Sequence, residues 1–215
     1  MDLAIFDLDG TLIDSKLDIV HSVNAAREHF AMPPLSIETV SSYVGNGAPV
    51  LIRRAMGPDA TEELIAQALE YFLAYYHHHK LDHTTLYPGV REALDRMQAA
   101  GIHLAVLTNK PVTISEAILE GLALGGHFKY IYGGNSFEQK KPHPIGIDTL
   151  VSQLNASRAQ TVMVGDSGVD IDTARAANVQ ACGVSYGFAP ETLKTSPPDF
   201  MVDNLQQLAD RVIAA

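Results

Sequence analysis

The sequence predicts an α/β protein: a doubly wound, mostly parallel sheet with an α-helical cap inserted after the first strand. Three observations carry this. An apolar run, Leu3-Ala4-Ile5-Phe6, ends abruptly in Asp7 and Asp9. Residues 15 to 82 carry helical periodicity alone. From Tyr87-Pro88-Gly89 onward, short apolar runs alternate with amphipathic stretches, as strands joined by crossover helices do. A chain of 215 residues can bury a full core. The expected division is a catalytic core of residues 1–14 and 83–215, with a cap of residues 15–82.

In the cap, Ile19, Val20, Val23, Ala26 and Phe30 recur at helical spacing, and Pro33-Pro34 ends that helix. Ser36 caps a short second helix, Gly45-Asn46-Gly47 breaks the chain, and Ala48 to Met56 forms a third. Thr61-Glu62-Glu63 opens a longer helix with Leu64, Ala68, Leu69 and Phe72 on one face. In the core, helices are expected over 90–100, 112–124, 143–154, 170–177 and 205–214. Strands are expected at 102–107, 130–132, 161–164, 181–184 and 200–202.

The formal net charge of −10 opposes a nucleic-acid partner, because phosphate backbones attract basic surfaces. No apolar run approaches the roughly 20 residues a membrane helix needs. Asp2 and only four apolar residues follow the first methionine, which resembles neither a signal peptide nor an anchor. Cys182 is the only cysteine, so no internal disulfide forms. A cytoplasmic protein without nucleic-acid or membrane partners is expected, as a monomer or homodimer, since no heptad pattern demands assembly.

In doubly wound sheets, ligands bind beyond the carboxyl ends of the strands. The chemically loaded residues fall there: Asp7 and Asp9, Thr108-Asn109-Lys110, Lys141 before Pro142, and Gly165-Asp166-Ser167 through Asp170. Several converging carboxylates need a counter-charge. Mg²⁺, a hard ion that takes oxygen ligands and substrate phosphate, suits them. Thr108, Asn109 and Lys141 supply donors for phosphoryl oxygens. A carboxylate facing such a group can attack phosphorus while a second carboxyl moves protons. The minimal reading is phosphoryl transfer through Asp7 with Asp9 as acid and base.

Asp7-Leu8-Asp9-Gly10-Thr11 resembles the nucleophile motif of the haloacid dehalogenase superfamily. Leu107-Thr108-Asn109, Lys141-Pro142 and Gly165-Asp166-Ser167 through Asp170 resemble its other motifs, in order. The resemblance spans essentially the whole chain and implies a Rossmann-like core of the superfamily's type. It implies Asp7 as nucleophile, Asp9 as general acid/base, Thr108 as phosphate ligand and Lys141 as the cation steadying the intermediate. It also implies a Mg²⁺ site from Asp7, the Asp9 carbonyl and Asp166, with Asp170 close behind. The second aspartate is similar to the phosphatase members, since dehalogenase members lack it. Tyr43-Val44-Gly45-Asn46-Gly47-Ala48 and Lys141-Pro142-His143-Pro144 resemble the phosphoglycolate phosphatase subgroup. That implies a small phosphorylated acid as substrate, most simply 2-phosphoglycolate. Gly47 would offer backbone N–H groups at a helix start, and Arg54 would meet the substrate carboxylate.

Other readings compete. Asp-x-Asp-Gly strings make turns, and Thr108-Asn109 could cap a helix. Arg53 and Arg54 adjoin on one helix, so at most one faces a cleft. The run His77-His78-His79 points in directions about 100° apart, and no carboxylate or cysteine near it or His83 completes a metal site; a solvated helix end is expected. Cys182 and the tyrosines Tyr71, Tyr75 and Tyr76 are read as packing. Rival functions are a phosphosugar mutase resembling beta-phosphoglucomutase, a phosphatase for pyrophosphate or sugar phosphates, and a non-catalytic phosphate-binding regulator. The mutase would use a cap histidine where this chain has Ile19, with His21 two residues off.

Overall fold

The computed structural model describes residues 1–214. Among these, the strands are β1 (Leu3–Phe6), β2 (Ile13–Asp14), β3 (Thr85–Leu86), β4 (His103–Leu107), β5 (Tyr130–Tyr132), β6 (Thr161–Gly165), β7 (Gln180–Val184) and β8 (Phe200–Val202). The α-helices are α1 (Lys16–His29), α2 (Ile37–Ser41), α3 (Ala48–Met56), α4 (Glu62–His79), α5 (Val90–Ala99), α6 (Val112–Gly121), α7 (Ile145–Gln153), α8 (Gly168–Ala176) and α9 (Leu205–Ile213).

The main sheet runs β5-β4-β1-β6-β7-β8, parallel throughout. β1 lies between β4 and β6, with Ile5 opposite Ala105 and Met163. Each of its residues is fully buried, as a strand covered on both faces requires. Alternation sends Leu3 and Ile5 to one apolar layer with Leu107, Met163 and Ile171. Ala4 and Phe6 join the other, which continues through Leu12 and Ile13 into Ile19, Ile52 and Phe72 of the helical insertion. One continuous core therefore spans sheet and insertion.

The insertion packs α4 against α1 and α3. Thr61 caps α4 by accepting the Leu64 N–H at 3.2 Å. Buried Arg27 donates to the carbonyls of Pro33 and Ala55, which fixes the turn after α1. Chain exit and return are joined by β2 and β3, an antiparallel pair with Asp14 opposite Thr85. That pair was not expected from the sequence, because two-residue strands carry no periodicity. Asp18 in the first turn of α1 reinforces it: its buried carboxylate accepts the His83 and Thr84 N–H groups and the Thr84 hydroxyl.

Boundaries differ from expectation for local reasons. α6 stops at Gly121, short of 124, and Ala123 takes a positive φ. α7 begins only after Pro144, and α8 begins at Gly168 because Ser167 and Asp170 form a capping box. A 3₁₀ turn over Pro190–Lys194 was also not expected. Cys182 is buried as read, and burial pushes its thiol up to about 12. Among the described residues, no helix is long and apolar enough to cross a membrane.

Candidate active site

The carboxyl ends of β1, β4 and β6 and the loop after β5 meet over one edge of the sheet. Asp7 follows β1 directly, its N–H bonded to the Val164 carbonyl at 2.9 Å. Thr108 follows β4 and is anchored the same way to Tyr132 at 2.9 Å. Asp166 follows β6, and Lys141 precedes a cis peptide to Pro142. All four side chains are buried.

Oxygens of Asp7, Asp166 and Asp170 lie within 4.8 Å of one another. The Lys141 Nζ sits 2.6 Å from Asp170 Oδ1 and 3.0 Å from Asp7 Oδ1. Burial pushes the Asp7 carboxyl up to about 6; the Lys141 charge opposes this and the Asp170 charge adds to it. Asp166 is held well above the usual carboxylate range by burial and by Asp170 and Asp7, although Phe188 and Ala189 donate N–H bonds to it. Burial alone would lower the Lys141 ammonium, but Asp170 and Asp7 reverse the sign and raise it. One buried cation thus contacts two of three clustered buried acids. That surplus of hard oxygen donors fits Mg²⁺.

Asp170 has a structural duty as well: its Oδ2 accepts the Ser167 N–H and hydroxyl that start α8. Its Oδ1 holds Lys141, so Asp170 positions the cation beside Asp7. The backbone approaches Asp166 closely at two glycines. A Cβ at Gly10 would lie 2.3 Å from its Oδ2, and one at Gly187 would lie 2.1 Å from its Cβ.

The Asp9 carboxylate stands apart from this cluster. Lys110 Nζ contacts both of its oxygens, at 2.7 and 2.8 Å, and the Ser15 hydroxyl donates to Oδ1. Lys110 lies 4.7 Å from the centroid of the Tyr76 ring, which comes from α4. Sequence reasoning placed Lys110 at the strand end but gave it no task, and read Tyr76 as packing. Tyr76 does pack, stacked on Phe72 in the core, and it lines the cleft as well; its buried hydroxyl has no hydrogen-bond partner among the described residues, and burial pushes it up to about 12. The available signal for Lys110 was its place beside Thr108, at a strand end facing two acids.

The loop 45–47 closes the cleft from the helical side. Lys140 Nζ donates to the Asn46 carbonyl at 2.7 Å. Asn109 donates through Nδ2 to the carbonyls of Gly45 and Lys141, at 3.0 and 3.1 Å, and accepts the Lys141 N–H. Both side-chain amide hydrogens of Asn109 are therefore engaged in clasping the loop to the core, while the residue also lines the cleft. Arg54 is placed differently from expectation. It is exposed and lines a separate open concavity with Arg53, Tyr43 and Pro58, while Arg53 pairs with Glu62 at 2.6 Å. Its position on the outer face of α3 puts it outside the cleft.

Gly47 does line the cleft, with φ of +84°. A Cβ there would lie 3.0 Å from the Asn109 carbonyl oxygen. Gly47→Ala is expected to cost about 1–3 kcal/mol, because φ of +84° with ψ of 165° is a backbone conformation almost confined to glycine, and to loosen the loop. Steady-state kinetics should show a raised KM with kcat little changed.

Asp7, Asp9, Thr108, Lys110 and Asp166 from the core meet Gly47, Leu51, Phe72 and Tyr76 from the insertion around a cavity of about 60 Å³. One water needs roughly 10–15 Å³ by the same measure, so the cleft has room for a small molecule rather than a single water.

The family model for haloacid dehalogenase-like hydrolases matches residues 4–184. A phosphoglycolate phosphatase of Vibrio vulnificus is 39% identical over 99% of this chain and 96% of its own length. One from Chromobacterium violaceum is 37% identical over 95% of this chain and 93% of its own. The crystal structure of a predicted phosphoglycolate phosphatase from Haemophilus somnus superposes with a TM-score of 0.93 at 32% identity, covering 98% of this chain and 97% of that one. With the parallel sheet, the acids at its edge and this match along the chain, the protein belongs to the haloacid dehalogenase-like hydrolase family.

Proposed function

We propose that the protein is a Mg²⁺-dependent phosphatase that hydrolyses a small phosphate monoester, most simply 2-phosphoglycolate, through a phosphorylated Asp7. The observation that carries this is the contact of Lys141 with both Asp7 and Asp170, directly behind a small cleft that Asp7 itself lines. Asp7 and Asp166, with the Asp9 carbonyl, would hold Mg²⁺, which when bound neutralises the acids and polarises a phosphoryl oxygen. Asp7 attacks phosphorus, and Lys141 and the Thr108 hydroxyl hold the transferring oxygens. Asp9 gives its proton to the departing alkoxide, then removes one from the water that cleaves the acyl phosphate. Lys110 fixes where that carboxyl stands. The insertion keeps bulk water out while the intermediate exists.

The substrate assignment draws on the phosphoglycolate phosphatases that the chain resembles and on the size of the cleft. The mutase reading lacks a cap base: Ile19 lines the cleft and is apolar, and His21 is exposed and faces His83. The test is phosphate release from an aryl phosphate with and without Mg²⁺, followed by a panel of small esters including 2-phosphoglycolate, hexose phosphates and pyrophosphate. Release that ignores Mg²⁺, or isomerised product without net phosphate, refutes the proposal. A preference for a hexose phosphate overturns the substrate alone.

A pH dependence accompanies the metal. Folding raises Asp7 from 3.8 to about 6, so the native metal-free state binds a proton that the unfolded chain releases. The stability tied to that proton is present below pH 3.8 and lost as pH rises towards about 6. Mg²⁺ binds the ionised form, so its gain in Tm is expected to be larger at pH 8 than at pH 5. Calorimetric melting at both pH values checks this; equal gains would contradict it.

A further inference from the structure

The histidines around the end of α4, expected to be a solvated helix end, separate in three dimensions. His79 turns to Asp82, its Nδ1 2.8 Å from a carboxylate oxygen. His83 reaches α1 instead, where its ring meets that of His21 edge to face with centroids 5.2 Å apart. Asp18 lies one turn before His21 on the same helix face. The carboxylate that sequence reasoning could not find near His83 therefore arrives from 65 residues away.

One nitrogen from each imidazole and one Asp18 oxygen fall within 4.8 Å of one another. Both imidazoles are exposed and, among the described residues, neither makes a hydrogen bond or ion pair. Asp18 is buried and already oriented. Its Oδ2 takes Thr84 N–H at 2.8 Å, the Thr84 hydroxyl at 2.7 Å and a longer bond from His83 N–H at 3.1 Å. Its Oδ1 accepts only the His83 N–H, at 2.9 Å, which leaves it a lone pair. The cluster is thus a carboxylate fixed by backbone donors beside two uncommitted imidazoles. Metal sites are supported in this way, with outer hydrogen bonds holding a ligand in place.

We propose that Asp18, His21 and His83 form a second cation site, selective for a borderline transition ion and best suited to Zn²⁺. Two imidazole nitrogens and one carboxylate oxygen leave one tetrahedral position for water. Imidazole donors discriminate against Mg²⁺, whose oxygen-only set lies at Asp7 and Asp166. The site joins the first turn of α1 to the segment returning into β3, the two places where the chain enters and leaves the insertion. A bound ion therefore ties exit to return and restrains the insertion against the core. The proposal does not depend on the phosphatase reading.

The experiment titrates Zn²⁺ by isothermal calorimetry into the whole protein in excess Mg²⁺. One Zn²⁺ equivalent is expected in the wild type and in Asp7→Asn, with affinity weakened about tenfold or more in His21→Ala and in His83→Ala. Both histidines are exposed and outside the catalytic machinery, so Mg²⁺-supported turnover without Zn²⁺ should be unchanged in these variants. Zn²⁺ should slow amide exchange over residues 82–85 in the wild type and not in His21→Ala. Equal Zn²⁺ affinity in the wild type and both histidine variants, or loss of the equivalent in Asp7→Asn, overturns the proposal.

Discussion

Asp7→Asn is expected to lower kcat by at least about 10⁴-fold, the scale seen when a covalent nucleophile is removed, while the fold survives. The amide keeps the shape and can still accept the Leu8 N–H that Asp7 Oδ1 accepts at 2.8 Å. It cannot attack phosphorus. Stability should move the other way. Burial already holds the Asp7 carboxyl up at about 6, so its ionised form is costly in metal-free protein, and the neutral amide removes that cost. The variant's Tm without Mg²⁺ should equal or exceed that of the wild type, by a margin growing with pH between about 4 and 6. Acid quenching during turnover should trap a phosphoryl group on the Asp7 peptide in wild type and none in the variant. Mg²⁺-dependent phosphate release persisting in Asp7→Asn would end the covalent route.

Lys141→Met should lose both activity and stability. The ammonium is almost wholly buried and is the partner of two carboxylates, 2.6 and 3.0 Å away. Removing one side of a buried pair costs about 3–5 kcal/mol because the remaining charges stay desolvated. In a domain of this size that lowers Tm by about 6–20 °C. On the proposed mechanism, losing a donor to the transferring oxygens should cost a further factor of about 10²–10³ in kcat. Lys141 also opposes the rise of the Asp7 carboxyl, so without it the acid limb of the pH–rate profile should shift to higher pH. Mg²⁺ should restore part of the lost Tm and little of the rate. A variant with normal kcat and an unshifted profile would show that Lys141 serves packing alone.

Much of the fold was legible because its signals are local. Apolar runs ending in acids marked β1 and β6, and proline and glycine marked most helix ends. Convergence of Asp7, Thr108, Lys141 and Asp166 could be read from order alone, since a parallel sheet sends the carboxyl ends of its strands to one edge. What escaped depends on contacts between distant segments. The β2–β3 pair is too short for periodicity. Lys110 finds Asp9 from 101 residues away, and the Phe188–Ala189 backbone caps Asp166 from 22. Neither leaves a local pattern. The loop-clasping duty of Asn109 escaped for the same reason: its side chain meets carbonyls of two distant loops. Arg54 was assigned by analogy, and the turn of α3 carries it to the outer face.

The two-residue ladder between β2 and β3 has a consequence for how such chains diversify. Asp14 and Thr85 are directly paired, so seventy intervening residues depart and come home through a single doorway. Closing that doorway needs only a tight turn, and another module with adjacent termini could be spliced there without re-threading the parallel strands. Selectivity could then be rewritten by transplantation while the phosphoryl-transfer chemistry stays untouched beneath.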